Sequence, residues 1–161
     1  MDGERPWHVL RGLASLIVLT ALLLACRESI ASTDPEVASF VRLVNAHRVS
    51  RGLPALIWDD RAAAVAQAHS RDMRDHRYFS HSWSDGGSTW SRLKARGVTY
   101  SQAGENIAWG QKTGRAVLAS WLKSRGHREN IENGSFTHHG VGKAGPYWTH
   151  VFFRPRKARS R

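Results

Sequence analysis

Three short segments place titratable side chains beside turn-forming residues rather than on a plain amphipathic face. They are Phe79-Ser80-His81-Ser82, Gly104-Glu105-Asn106-Ile107 and the run from Ser124 through His127 to Ile131. A carboxylate hydrogen-bonded to one imidazole nitrogen fixes the ring's tautomer and leaves the other nitrogen free, an arrangement that serves a general base as well as a ligand. His81, Glu105 and His127 together also form the nitrogen-and-oxygen donor set that suits Zn²⁺ with one coordination position open. Three readings therefore stand side by side: a divalent metal site (Zn²⁺ or Mg²⁺) on these three residues, a metal-free polar cleft that requires no cofactor, or purely structural contacts. Ser80 and Ser82 are candidate hydroxyl partners of His81. Trp83, in a Ser- and Gly-rich loop, is expected to expose its ring and line a groove for a lipid or glycan.

The elements that must position these groups are legible from spacing. Asp34-Pro35-Glu36 supplies an N-cap, a first-turn proline and an early acid, and Val37, Phe40, Val41 and Val44 recur at helical intervals, which predicts a helix to about Arg51. Gly52 and Pro54 end it. Asp59 or Asp60 caps a second helix with Ala62, Val65, Ala66, His69 and Met73 on one face, which makes His69 a buried, hydrogen-bonded core residue. A short helix carries Trp90 and Leu93 and stops at Gly97. Glu105 to Trp109 reads as a strand, Thr113 to Ser124 as a helix, and Gly126 to Asn133 as a turn-rich connector. His138 to Lys143 and Tyr147 to Arg154 read as strands joined by a hairpin turn at Ala144-Gly145-Pro146. Alternation puts His150 with Trp148 and Phe152, opposite Tyr147, Thr149 and Val151, and sends His138 and His139 to opposite sides. Trp90, Trp109, Trp121 and Trp148 are expected in the core. Helices mixed with strands predict an α/β fold, a small mixed or antiparallel sheet flanked by helices.

Residues 1–31 read as an address. Arg5 and Arg11 precede an uncharged, Leu-rich run from Leu13 to Ala25, about 13 residues and short of the roughly 20 a membrane-spanning helix needs. Leu23-Leu24-Ala25-Cys26 resembles a bacterial lipobox, with Cys26 the lipidated residue, while Ser29-Ile30-Ala31 offers ordinary cleavage instead. Either reading exports the chain, to a periplasmic or cell-surface lipoprotein or to the medium. Cys26 is the sole cysteine, so no intramolecular disulfide staples the domain. The formal net charge is +11, part of it in Arg154, Arg156, Lys157, Arg159 and Arg161, a tail 154–161 expected to be disordered, either as a solvated segment that aids solubility or as one attracted to anionic envelope polymers or lipid headgroups. Export argues against nucleic acid as a partner.

Asn45-x-x-Arg48, Gly52-Leu53-Pro54, Trp58-Asp59, Tyr78-Phe79-Ser80-His81, Gly104-Glu105-Asn106-Ile107 and Tyr147-Trp148-Thr149 follow one another in an order that resembles the CAP (SCP-like) superfamily. Gly126-His127-Arg128-x-Asn130-Ile131 after Trp121 is similar to its bacterial branch. The resemblance spans residues 34–153 and implies a three-layer α-β-α sandwich with a cleft in which two His and two Glu hold a metal in many members. His81 and Glu105 match that set. Ser124 and then His127 stand near the second Glu, and Tyr147 stands where the second His is expected. A cleft built from His81, Glu105, His127, Tyr147, His150 and Trp83 is thus expected to bind an envelope lipid, glycan or protein. No Gly-x-Ser-x-Gly elbow or His-Glu-x-x-His helix is present, which closes the common hydrolase routes. A metal-assisted or His-Glu general-base peptidase is the alternative.

Overall fold

The computed structural model describes residues 34–157. The leader with Cys26, and Arg159 and Arg161 of the tail, lie outside the described residues.

Helix α1 spans Pro35–Ser50; Asp34 caps it by accepting the Glu36 backbone N–H. Strand β1 is the short Ile57–Trp58. Helix α2, Asp60–Asp75, is capped by the Asp59 carboxylate, which accepts from the N–H groups of Arg61 and Ala62. Helix α3, Thr89–Ala95, begins with a capping box between Ser88 and Ser91. Strand β2, Tyr100–Trp109, starts five residues before the expected Glu105. Helix α4, Gly114–Lys123, is followed directly by α5, Arg125–Ile131, where the sequence reading expected a connector. Its one apolar residue, the buried Ile131, gives no periodicity to betray a helix; side-chain bonds to β2 hold the rest of α5. Strands β3, His138–Ala144, and β4, Tyr147–Pro155, close the chain as a hairpin.

The sheet is mixed, in the order β1-β3-β4-β2, with β1 parallel to β3 and the other pairs antiparallel. One face carries Trp148 and Phe152 against Phe40, Val44, Val117, Trp121 and Ile131, from α1, α4 and α5. The other carries Val151 and Phe153 against Ala62, Val65, Ala66 and Leu93, from α2 and α3. This is the expected α-β-α sandwich. Each apolar face contributes about 25 cal/mol per Å² buried, and no disulfide is available to supplement it. The expected tail begins later than read: Arg154 and Pro155 belong to β4, and the Arg156 N–H donates to Thr99 O, because β2 extends far enough to pair with them.

Both named residues of the Asn45-x-x-Arg48 motif are clamps. Asn45 exchanges two hydrogen bonds with the backbone of Leu56. The fully buried Arg48 guanidinium donates to the carbonyls of Pro54, Ile131, Asn133 and Phe136, pinning the α1–β1 and α5–β3 connections together with no carboxylate partner among the described residues. Charge-assisted bonds of this kind are the stronger class.

Helix α2 lies unusually close to the sheet. A Cβ on Gly140 would sit 2.0 Å from Ala63 N, and one on Gly142 would sit 2.1 Å from Gln67 N. Backbone cannot yield as a side chain can, so the small residues on both surfaces are obligatory. Gly142→Ala is expected to lower stability by on the order of 3 kcal/mol in urea unfolding; a loss below about 0.5 kcal/mol would show that the approach is looser than described.

Candidate functional site

The site is built around Glu105 on β2. Its side chain is 2% exposed yet its carboxyl is held below its ordinary range: burial pushes it up, but hydrogen bonds from His69, His81 and Thr89 outweigh burial. His81 Nδ1 lies 2.6 Å from Oε1, His69 Nδ1 lies 3.2 Å from Oε2, and the Thr89 hydroxyl donates to Oε2. An ionised carboxylate only accepts, so both imidazoles donate from Nδ1. His69 comes from α2, His81 from the loop after it, and Thr89 from the first turn of α3. Three elements thus converge on one buried anion.

His81 differs from His69 in exposure. The His69 ring is fully buried and stacks on Trp83 at 4.8 Å and 10° between planes. The His81 side chain is 61% exposed. Its pKa is raised, first by the hydrogen bond to Glu105 and further by the carboxylate's charge, against the opposing effect of burial. With Nδ1 committed to Glu105, Nε2 is the atom His81 presents to a ligand.

The loop that delivers His81 is tied to α2 by a second carboxylate. Asp72 accepts from the Ser84 N–H at 2.9 Å, the Ser84 hydroxyl at 2.6 Å and the Tyr78 hydroxyl. Burial raises its pKa, but these donors and His76 bring it down to about 2. Sequence reasoning missed both Asp72 and Thr89. The i to i+6 spacing of Asp72 and Tyr78 was a visible signal; nothing local marks Thr89.

His127 stands on α5, half-buried, with its ring 6.1 Å from Trp121. Burial, and then the charge on His81, lowers its pKa, so the two imidazoles sense each other. Asn106 donates to the His127 carbonyl, and Asn130 donates to Glu105 O and Asn106 Oδ1, stapling α5 to the edge of β2 beside Glu105. These asparagines explain the Glu-Asn-Ile and Asn-Ile motifs as positioning devices.

Three expected cleft residues lie elsewhere. Trp83 is 7% exposed, packed between His69 and the Arg92 guanidinium 3.9 Å from its ring, so it supports the site from behind and lines no exposed groove at His81. Burial of its large ring and the Nε1 bond to Thr89 explain the difference. His150 is fully buried on the opposite face of the sheet, among Phe40, Trp121 and Phe152, with Nε2 3.0 Å from His139 Nδ1. Its alternation with Trp148 and Phe152 was read correctly, and that face is the α1–α4 core. Tyr147 pairs with Trp109, their rings stacked at 6.1 Å. Trp109 is itself 60% exposed rather than in the core, and lies four residues along β2 from Glu105, about 13 Å at strand rise. Trp90, also expected in the core, is exposed on α3. His138 packs on Phe153, away from Glu105.

Both Glu105 oxygens are taken by hydrogen-bond donors, and among the described residues no three His, Cys, Asp or Glu side chains converge at ligating distance. Neither Ser80 nor Ser82 is hydrogen-bonded to His81; the Ser80 hydroxyl accepts from the Ser82 N–H. What remains is a buried Glu orienting a surface His.

The α-β-α sandwich is the architecture of CAP-domain structures. Residues 41–149 match the CAP family, the cysteine-rich secretory protein family, and the chain belongs to it. It is a CAP-domain protein of the bacterial type. Bacillus subtilis YkwD is 46% identical over 114 residues, 70% of this chain and 44% of that protein. The Bacillus subtilis membrane protein YlbC is 44% identical over 112 residues, 70% of this chain and 32% of that one. The chain therefore spans less than half the length of the curated relatives it matches. Among solved structures, an extracellular SCP-domain protein from Bacillus anthracis superposes with a TM-score of 0.71 at 41% identity, covering 74% of this chain and 40% of that one. An outer surface protein of Borrelia burgdorferi shares the fold, with a TM-score of 0.72 at 18% identity, covering 78% of this chain and 96% of that one.

The His139–His150 pair carries a prediction. Burial, then the charges of Arg48 and His138, pushes His139 down to about 3; burial, then His139 and Arg48, holds His150 well below its usual value. Both rings protonate near pH 6.5 when unfolded but stay neutral when native. Their contribution is thus complete above about pH 6.5 and lost as pH falls toward 3. The exposed His81, shifted the other way, offsets little of it. Urea unfolding is expected to show a loss on the order of 3 kcal/mol between about pH 7 and about pH 5; equal stability at both would contradict the neutral, buried pair.

Proposed function

We propose that this chain is an exported CAP-domain binding module whose cleft recognises an envelope or extracellular lipid, glycan or protein through His81. The observation that carries this reading is the Glu105 carboxylate, buried and triply hydrogen-bonded, with an exposed imidazole as its single outlet to solvent. Such a ring is held in one orientation before a ligand arrives, so little side-chain entropy is lost on binding. Its raised pKa makes Nε2 a donor in mildly acidic surroundings and an acceptor above them. Export is supported by the leader pattern of residues 1–31 and by the description of the Bacillus anthracis relative as extracellular. Lipidation at Cys26 remains part of the proposal. Among the described residues no hydroxyl or thiol is bonded to His81, which favours binding over covalent catalysis.

The second reading is a general-base hydrolase in which His81, oriented by Glu105, activates water at Nε2. The Glu-His geometry favours it, since a carboxylate on Nδ1 is how a catalytic imidazole is held. One experiment separates the two. The parent domain, His81→Ala and Glu105→Gln are each incubated with isolated cell envelopes, and co-sedimentation and released fragments are followed together. Binding that falls at least about tenfold in His81→Ala, with no fragments from any form, is expected. Fragment release by the parent that Glu105→Gln abolishes, with its fold intact by circular dichroism, would establish the hydrolase instead.

A further inference from the structure

Helix α3 runs back along α2. Gly97, just past the end of α3, accepts from Arg61 in the first turn of α2, whereas Ser84, ahead of α3, donates to Asp72 near the other end of α2. Between the two helices lies a groove of about 520 Å³, walled by Trp83 and Arg92. Small residues line its α2 side, Ala64 and Ala68, and Val65 and Ala95 continue that surface.

The groove carries opposite charges at its two ends. Arg96, at the C-terminal end of α3, is exposed and forms no salt bridge among the described residues. Beside it Arg92 is held in place, its guanidinium 3.9 Å from the Trp83 ring and paired with Asp85. Asp72, Asp75 and His76 stand at the other end. The Ser84, Tyr78 and His76 contacts bring Asp72 down to about 2 against the opposing effect of burial. The hydrogen bond from Arg74, and then the charges of Arg74, His76 and Arg71, hold Asp75 below its ordinary value. Both acids thus stay ionised at neutral pH. Arg74 occupies Asp75 Oδ1, which leaves Oδ2 open to a ligand donor.

Length and polarity together select the occupant. Arg96 lines the groove with Ala64 and Ala68, and from there to Asp75 α2 rises by about 10–16 Å. An extended chain advances about 3.3–3.6 Å per residue, so roughly three to five residues bridge the ends. A carboxylate on a long apolar body would satisfy Arg96 but lay that body against two ionised acids, and a desolvated charge without a partner is costly. A neutral glycan would answer neither end.

We propose that the α2–α3 groove binds a short linear peptide with free termini, its carboxylate at Arg96 and Arg92 and its ammonium at Asp75 and Asp72. Small side chains pass over Ala64 and Ala68. The site does not rest on the reading of the His81 cleft, from which the stacked rings of Trp83 and His69 separate it.

The test uses residues 34–161, which hold the whole sheet and both apolar clusters. Tetra-alanine with free termini is titrated into the labelled domain and followed by proton–nitrogen NMR, beside the same peptide amidated at its C-terminus or acetylated at its N-terminus. Saturable shifts centred on Ala64, Ala68 and the Trp83 indole are expected, with affinity falling roughly tenfold for either blocked form. Arg96→Gln should weaken the free peptide by the same factor and leave the amide unchanged; Asp75→Asn should do likewise for the acetylated form. Both residues are exposed, and circular dichroism checks that the variants fold. No binding of free tetra-alanine at millimolar concentration would overturn the proposal. So would equal affinity for the blocked peptides or for octanoate, or shifts centred on His81 and His127.

Discussion

The site depends on keeping a carboxylate ionised where water hardly reaches it. Moving such a group out of water costs several kcal/mol even after the protein relaxes. Glu105 is tolerated because His69, His81 and Thr89 donate to it. Removing one donor from such a network costs about 1–3 kcal/mol. The three donors come from α2, the following loop and α3, so the demand of one anion sets how those elements meet β2. Trp83 fills the space behind them, its ring against His69 and its Nε1 on Thr89. Asp72 repeats the device at the loop's base, holding Ser84 and Tyr78 so that His81 reaches Glu105.

The opposite face of the sheet is organised by a buried cation. Arg48 ties four carbonyls, and the His139–His150 pair sits beside it as neutral rings. The two faces therefore solve the same problem with opposite charge. They communicate with solvent differently: His81 is exposed and titrates, whereas His139 and His150 are sealed among Phe40, Trp58, Trp121 and Phe152. A histidine's sequence neighbours do not distinguish these fates; the element that carries it and the side it faces do.

Much of the fold was legible because its periodicities are clean. The faces of α1 and α2, the hairpin and the alternation along β4 all followed from spacing. Helix α5 was not, since Asn106 and Asn130 hold it by side-chain bonds that no local pattern encodes. In the site, the pairing of His81 with Glu105 was readable through the family resemblance. Thr89 was not, because its role arises only when α3 folds back over β2. Trp83 misled for a related reason: a Ser- and Gly-rich loop suggests exposure, but its ring turns inward onto His69. The first five residues of β2 escaped because their polar side chains give no alternation, though they carry the pairing that orders Arg154 and Pro155.

The central claim is that Glu105 fixes the His81 ring with Nδ1 protonated and Nε2 turned to solvent. Long-range proton–nitrogen correlation NMR on the labelled domain, above the pH at which His81 titrates, reads that tautomer directly. The account predicts Nδ1–H with a bare Nε2, reverting in Glu105→Gln toward the Nε2–H form that an unconstrained histidine prefers. A parent His81 already in the Nε2–H form would contradict it.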